Sequence, residues 1–325
     1  MVSSVMPELR PILVLALSVL VWQSVAASVN GGAGSQDAPA SGATTDDLRR
    51  FLLMLIPALA AAVMIWRLRL LRPRTVRLAA DPDIRVQESR LWPVFLLGGL
   101  MIWLAQPLGA AAASGLFSVA PADRLALRGF AIVAWGSYLG AAIALGIVLL
   151  TFPGLTAPVG LRLRFRDVPF GVIGFALVYP IIAALGVLFM LIALWISTMT
   201  GGVPPDPVAH QTLGLLTDPL VARDGWWWAT IGAVTIGAPV AEELVYRGFI
   251  QTSLLRLTGS PRLAVVLTSA AFVVPHVTVV EPHALPVLFA LSLGLGTAFE
   301  RTGRLGAPIM IHALFNAVNI AIAAG

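Results

Sequence analysis

The stretch GAPVAEELVYRGF, residues Gly237–Phe249, lies inside a long apolar segment of the chain. Glu242, Glu243 and Arg247 place three charges within it. A charged side chain at the centre of a bilayer costs about 2.5–3.5 kcal/mol on insertion scales. These charges are therefore tolerable only where they face the interior of a helical bundle or a water-filled cavity. The stretch predicts a membrane fold built around a polar interior.

The composition extends this prediction to the whole chain. Of the 325 residues, 58% are hydrophobic and 11% are charged, and the mean hydropathy is +0.90. The apolar runs are continuous rather than alternating, which favours helices over a barrel. We therefore predict an all-α fold, a polytopic transmembrane bundle of about eight spans. The absence of cysteine excludes disulfides, thiolate metal sites, iron–sulfur clusters and a cysteine nucleophile.

The N-terminal part of the chain divides into three segments. Residues 1–27 have the features of a signal peptide, and a first transmembrane helix is the open alternative. Residues 28–50 are rich in Gly, Ser, Ala and Asp, and they predict a flexible external linker. Residues 51–167 form a predicted transmembrane region to which the sequence assigns no role.

The distribution of arginine predicts the topology. All 21 basic residues are Arg, and the net charge is +5. Beyond the run at 51–66, the predicted spans are 91–113, 128–151, 169–197, 226–256, 263–281, 284–300 and 305–323. Alternating them puts the Arg-rich loops on one side, which the positive-inside rule assigns to the cytoplasm. The positive charge is thereby explained without a nucleic-acid partner. The small residues of GSYLG, Gly136–Gly140, predict a close approach between helices.

The three charges of the opening stretch differ in their possible partners. On a helix, Glu243 and Arg247 are at positions i and i+4, so they share a face and can pair. Glu242 is rotated by about 100° from Glu243 and has no such cation. Pro239 interrupts the backbone hydrogen bonds just before the glutamates, and a broken helix at membrane depth normally lines a cavity.

Two later spans supply further polar side chains. His276 follows Phe272 by four residues, and His312 and Asn316 have the same spacing in the last span. Taken singly, each is explained by hydrogen bonding between packed helices. Taken together with the glutamates, they provide a carboxylate base, an imidazole pair and an amide donor. That set could activate water against an acyl carbon and hold the resulting oxyanion.

These motifs resemble those of the CPBP or Abi family, which includes the type II CAAX prenyl endopeptidases. EExxxR matches Glu242–Arg247, FxxxH matches Phe272–His276 and HxxxN matches His312–Asn316, so the CPBP-like core would occupy residues 168–325. The resemblance implies an intramembrane glutamate-type protease with a site toward the cytosol. Glu242 would be the general base, helped by His276; His312 and Asn316 would form the oxyanion hole; Glu243 and Arg247 would orient and brace the site.

The resemblance also sets the expected partners. We expect a peptide or membrane-anchored protein as substrate, a bacterial plasma membrane as surroundings, and neither metal nor cofactor, since no HExxH pair is present. One alternative is a non-catalytic scaffold or bacteriocin-immunity-type protein. A transporter is another, because intramembrane charges and broken helices also mark ion paths, but the two halves show no internal repeat. The apolar runs contain neither the GxGD motif of aspartyl proteases nor the GxSG motif of serine proteases.

Overall fold

The structure is a computed structural model that describes residues 45–70, 76–77, 82–206, 211–218 and 221–323. The α-helices of these residues are α1 Thr45–Arg67, α2 Pro82–Ser89, α3 Trp92–Leu116, α4 Leu127–Thr151, α5 Asp167–Thr200, α6 Gln211–Thr217, α7 Gly225–Gly232, α8 Ala238–Glu243, α9 Thr252–Thr258, α10 Pro261–Val273, α11 Leu285–Thr302 and α12 Gly306–Ala323. Short 3₁₀ segments and two π-helical stretches connect some of them, and the described residues include no β-strand. The all-helical fold is confirmed.

Within the described residues, six helical segments are long and apolar enough to cross a membrane. They are Gln87–Leu116, Leu127–Thr151, Asp167–Thr200, Pro261–Thr278, Pro282–Thr302 and Gly306–Ala323. The chain is thus an integral membrane protein. The predicted span at 51–66 corresponds to a shorter apolar helix, Phe51–Arg67. The predicted span at 226–256 is interrupted by changes of helix type, so the count of eight stays a prediction.

The first helix begins earlier than the sequence suggests. The linker was predicted to run to residue 50, but α1 starts at Thr45, so residues 45–50 are helical. The remainder of that linker and the signal-like segment 1–27 lie outside the described residues. Helix α1 packs against α5.

Helices α3 and α4 pack closely through small residues, as GSYLG predicts. A Cβ added at Gly140 would lie 2.3 Å from the carbonyl oxygen of Ala105, and one at Gly136 would lie 2.8 Å from that of Gly109. Only glycine permits such an approach, because any side chain would collide with the facing backbone. This confirms the packing role of the motif.

The motif-bearing helix lies at the centre of the bundle. Phe249, which is fully buried, packs its ring against α3 at Gly98 and Gly99 and shares a core with Phe95 and Val148. A second core joins three other helices, α5, α11 and α12, through the buried side chains Phe175, Tyr179, Ile182, Leu291, Leu295 and Ile311. The N-terminal region therefore contributes directly to the packing of the motif-bearing helix.

The loops that the arginine pattern assigned to one side meet at one end of the bundle. Ion pairs join Arg77 to Glu300 at 2.7 Å, Arg256 to Glu88 at 3.1 Å and Arg304 to Asp167 at 2.6 Å. We call this end, defined by these three pairs, the basic end. The opposite end contains the Trp-rich start of α7, whose first turn is capped by the Asp224 carboxylate.

Candidate active site

The helix that carries the two glutamates changes type twice. A π-helical stretch over Ala233–Gly237 is followed by α8, Ala238–Glu243, and then by a second π-helical stretch over Leu244–Gln251. π-Helical turns are rare and occur often at functional sites. The sequence predicted an interruption at Pro239, but it did not reveal the longer distortion on both sides of it.

The first π-helical stretch explains the position of Asn316. In the i to i−5 register, Ala238 N–H donates to the carbonyl of Ala233. The next donor in that register would be residue 239, which is proline and has no N–H. Asn316 Nδ2 instead donates to the carbonyl of Val234, at 2.8 Å. The Asn316 amide thus supplies the hydrogen bond that Pro239 cannot make, and it ties α12 to the start of the motif helix.

Glu243 and Arg247 form the pair predicted from their spacing. Arg247 Nε lies 3.1 Å from Glu243 Oε2, and both side chains are fully buried. This contact is an ion pair without the alignment of a good hydrogen bond, since neither atom has a hydrogen-bond partner among the described residues. Arg247 also donates to the Ser292 hydroxyl at 2.9 Å, and its guanidinium lies 4.9 Å from the centre of the Phe272 ring.

His312 joins the two glutamates. Its Nδ1 lies 3.0 Å from Glu243 Oε1, and its Nε2 lies 3.9 Å from Glu242 Oε2. Because the Glu243 carboxylate accepts, the imidazole Nδ1 is the donor in the first contact. That hydrogen bond orients the ring and leaves Nε2 directed at Glu242. Glu242 and His312 therefore lie at the same depth in the bundle.

Glu242 has a different environment from its neighbour. Its side chain is 26% exposed, whereas that of Glu243 is fully buried. Glu242 Oε2 accepts no hydrogen bond from a described residue. Val240 and Ile236, which come just before Glu242 along the same helix, are 45% and 62% exposed. Glu242 is therefore the partly exposed carboxylate of the pair, and its Oε2 is a buried acceptor without a donor among the described residues.

His276 lies beside the cluster on a distorted helix end. Helix α10 stops at Val273, and a 3₁₀ segment containing Pro275 carries His276, as the proline suggests. The His276 Nδ1 is 2.7 Å from the carbonyl oxygen of Phe272, and the two rings are 4.8 Å apart. The described contacts include none between His276 and Glu242. Its connection to the other site residues passes through the Phe272 ring.

Phe272 is the packing centre of the site. Its ring centroid lies 4.8 Å from that of His276, 5.1 Å from that of Tyr246 and 6.0 Å from that of His312. The Arg247 guanidinium also lies over the Phe272 ring, in a cation–π contact. The motif spacing identified Phe272 only as a marker one turn before His276. The structure shows that it holds both histidines and the arginine at fixed separations.

Two neighbouring residues were missed by the sequence reasoning. Ser292 accepts from Arg247, but a lone serine in the apolar α11 gives no signal of this. Tyr138 of α4 packs against Gly237, where an added Cβ would lie 2.2 Å from its ring. A glycine just before Pro239 is the one hint that a bulky side chain approaches there. Among the described residues, no group of three or more His, Asp or Glu side chains is arranged to hold a metal ion.

The comparisons with known proteins agree with the motifs. Residues 224–318 match the family model described as type II CAAX prenyl endopeptidase Rce1-like. The comparison with curated proteins and that with solved structures each gave no match. The matched range contains all six predicted site residues. Residues 224–318 are therefore similar to the Rce1-like type II CAAX prenyl endopeptidase domain, consistent with the CPBP family that the three motifs resemble.

Proposed function

We propose that this protein is an intramembrane endopeptidase that hydrolyses a peptide bond of a membrane-associated substrate through a water activated by Glu242. The observation that carries the proposal is the arrangement of one imidazole between two unlike carboxylates. His312 contacts the buried Glu243 and faces the partly exposed Glu242. In this arrangement Glu242 is free to accept a proton, whereas Glu243 is held in place by its partners.

Glu242 acts as the general base. Its carboxylate accepts a proton from water while the water oxygen attacks the peptide carbonyl carbon. The same carboxyl group then returns the proton to the leaving amine as the C–N bond breaks. The products are a carboxylic acid and an amine, which ionise to carboxylate and ammonium. The exposed apolar residues on the adjoining turn, Val240 and Ile236, suit a substrate that approaches from the lipid.

The remaining site residues position this chemistry. His312 and Asn316 provide donors for the oxyanion. His312 in its imidazolium form donates through Nε2 while Nδ1–H stays bonded to Glu243. One Asn316 N–H is bound to Val234, and the second is available to the substrate. His276 assists Glu242 from the edge of the site, where it packs against the Phe272 ring. Glu243 and Arg247 form the buried pair that fixes the His312 ring. No metal ligand set and no cofactor are required.

We place the site toward the cytoplasm of a bacterial plasma membrane. Helix α12 starts at Gly306 next to the basic end, and His312 is six residues further along, or about 9 Å at the rise of an α-helix. The site thus lies in the half of the bundle near the Arg-rich loops. Those loops belong on the cytoplasmic side by the positive-inside rule.

Cleavage by purified protein tests the proposal. Wild type reconstituted in liposomes is offered two quenched fluorescent probes, a farnesylated CAAX-type peptide and an unprenylated peptide library. Glu242→Ala should abolish cleavage at unchanged folding, because it removes the base. Glu281→Ala, which changes a carboxylate in the turn before α11, should cleave like wild type. Cleavage retained by Glu242→Ala would overturn the assignment.

The same preparations distinguish the scaffold alternative. A non-catalytic scaffold or immunity-type protein predicts no Glu242-dependent cleavage of either probe and a cellular phenotype that survives Glu242→Gln. A protease predicts that Glu242→Gln retains bound peptide that wild type releases as fragments. Mass spectrometry of the peptide captured by Glu242→Gln would then identify the substrate.

A further inference from the structure

The loop after α1 returns to the bundle and is fastened at the basic end. Val76 N–H donates to the carbonyl of Glu300 at 3.1 Å. The Arg301 guanidinium donates to the carbonyls of Arg69 and Leu70, at 2.7 Å each. The sequence explained the arginines of this loop by topology alone. A topological role requires only that an arginine lie at the membrane surface. The Arg77 side chain is instead buried in the protein.

Arg77 is buried, and it is held by several groups from different parts of the chain. Its side chain is 6% exposed, and Nη1 donates to Glu300 Oε1 at 2.7 Å. Its Nη2 donates to the Pro158 carbonyl at 3.2 Å and to the Thr252 hydroxyl. The guanidinium carbon lies 4.0 Å from the centre of the Phe299 ring. Burial lowers the pKa of Arg77 from its ordinary value, and the charge of Glu300 opposes that shift.

The contact with Thr252 leads into the backbone of the motif helix. An arginine can only donate, so the Thr252 hydroxyl must accept from Arg77 and point its own hydrogen elsewhere. It donates to the carbonyls of Gly248 and Arg247, the latter at 3.2 Å. These carbonyls belong to the second π-helical stretch. The Thr252 hydroxyl thus links Arg77 to the backbone carbonyl of Arg247, the residue that pairs with Glu243.

The contact with Glu300 reaches the same stretch by a second route. Gln251 Nε2 donates to Glu300 Oε1 at 2.8 Å and to the Gly296 carbonyl at 3.0 Å. Gln251 is the last residue of the π-helical stretch and lies four residues after Arg247. Glu300 Oε1 therefore accepts hydrogen bonds from both Arg77 and the end of the motif helix.

We propose that Arg77 is a positioning residue for the active site, which keeps the π-helical stretch 244–251 in register so that Arg247 holds Glu243 and His312. This inference rests on the proposed function only in naming the chemistry that is positioned. It assigns a role to the loop after α1, which carries none of the three motifs. The Thr252 hydroxyl transmits the effect, with Glu300 and Gln251 as the parallel route.

Hydrogen exchange measured by mass spectrometry tests the positioning without any substrate. Arg77→Lys keeps a cation for Glu300 but loses the forked donor that reaches Thr252. Thr252→Val removes the hydroxyl at constant shape and charge. Each should speed amide exchange of residues 244–251 by about tenfold. The double variant should exchange no faster than the singles, because both break one connection.

Arg301→Gln is the matched control. It releases the same loop from the bundle at residues 69–70 without touching Thr252, so exchange in 244–251 should stay at the wild-type rate. The inference is overturned if Arg77→Lys leaves that exchange unchanged, or if the effects of Arg77→Lys and Thr252→Val simply add. If Arg77→Lys does not fold, Thr252→Val tests the same contact from its other partner.

Kinetics separates this inference from the proposed function. With the peptide probe that wild type cleaves, Arg77→Lys and Thr252→Val should lower kcat about tenfold at unchanged KM, because the substrate does not touch either residue. Cleavage that survives Glu242→Ala would defeat the protease assignment but leave the exchange result standing. Wild-type kcat in Arg77→Lys would defeat the positioning role and leave the assignment intact.

Discussion

Two adjacent glutamates have different surroundings because a helix turns by about 100° per residue. Glu243 faces Arg247 and His312 in the bundle interior and is fully buried. Glu242 points to a partly open surface, and within the described part of the chain its ionic contact is with His312 Nε2, at 3.9 Å. The pairing of Glu243 could be predicted from its spacing to Arg247, and so could the lack of a helical partner for Glu242.

Asn316 and Pro239 are coupled through one carbonyl group. Asn316→Ala should leave the Val234 carbonyl without a donor and destabilise the protein by about 1–3 kcal/mol. Pro239→Ala restores a backbone N–H in the i to i−5 register. We therefore expect the double variant to melt at a higher temperature than Asn316→Ala alone, as measured by thermal unfolding in detergent.

A second asparagine of α12 provides the control. Asn319 Nδ2 donates to the carbonyl of Phe315 within its own helix, at 2.7 Å. Pro239→Ala should not rescue Asn319→Ala. Equal melting temperatures for Asn316→Ala with and without Pro239→Ala would show that Asn316 does not replace the missing proline donor.

At the scale of elements, the sequence predicted the helices better than their distortions. The apolar runs mark the spans, and the three motifs place Glu242, Phe272 and His312 on helices that do meet. The π-helical stretches could not be predicted, because what supports them comes from distant residues. Asn316 bonds across 82 positions to Val234. Arg77 is separated from Glu300 by 223 positions, and no local sequence pattern predicts such a contact.

The α3–α4 contact is specified by glycine at single positions. Gly140→Ala should destabilise the protein by about 1–3 kcal/mol, because the new methyl group would lie 2.3 Å from the carbonyl of Ala105. Gly146 lies two turns further along α4 and has no other atom within 4 Å of the corresponding position. Gly146→Ala should melt at or slightly above the wild-type temperature. Similar melting temperatures for both variants would contradict this packing.

At the scale of the molecule, the basic end joins the N-terminal region to the matched domain. Arg77 and Glu88 come from before residue 91, and their partners Glu300 and Arg256 come from within residues 224–318. Ser253 adds a hydrogen bond to the carbonyl of Trp92 at 2.8 Å. The N-terminal region therefore supports the motif helix directly. Because the N-terminal region contains none of the family motifs, this support could not be predicted from the sequence.

Thiol labelling in cells can test the orientation of the bundle. The chain has no native cysteine, so Leu163→Cys and Val203→Cys each introduce a single thiol. These residues are 60% and 90% exposed, in the loops before and after α5. If the basic end faces the cytoplasm, an impermeant maleimide should label residue 203 in intact cells and residue 163 only after lysis. The reverse pattern would place the site on the outer face.

We propose that Glu242 performs the chemistry while Glu243 maintains the structure around it. Measuring cleavage rate and melting temperature together for Glu242→Gln and Glu243→Gln tests this most directly. Glu242→Gln should melt like wild type and lose cleavage. Glu243→Gln should be destabilised by about 3–5 kcal/mol, because it leaves Arg247 buried without its counter-ion. A Glu242→Gln protein that folds and still cleaves the peptide would contradict the account.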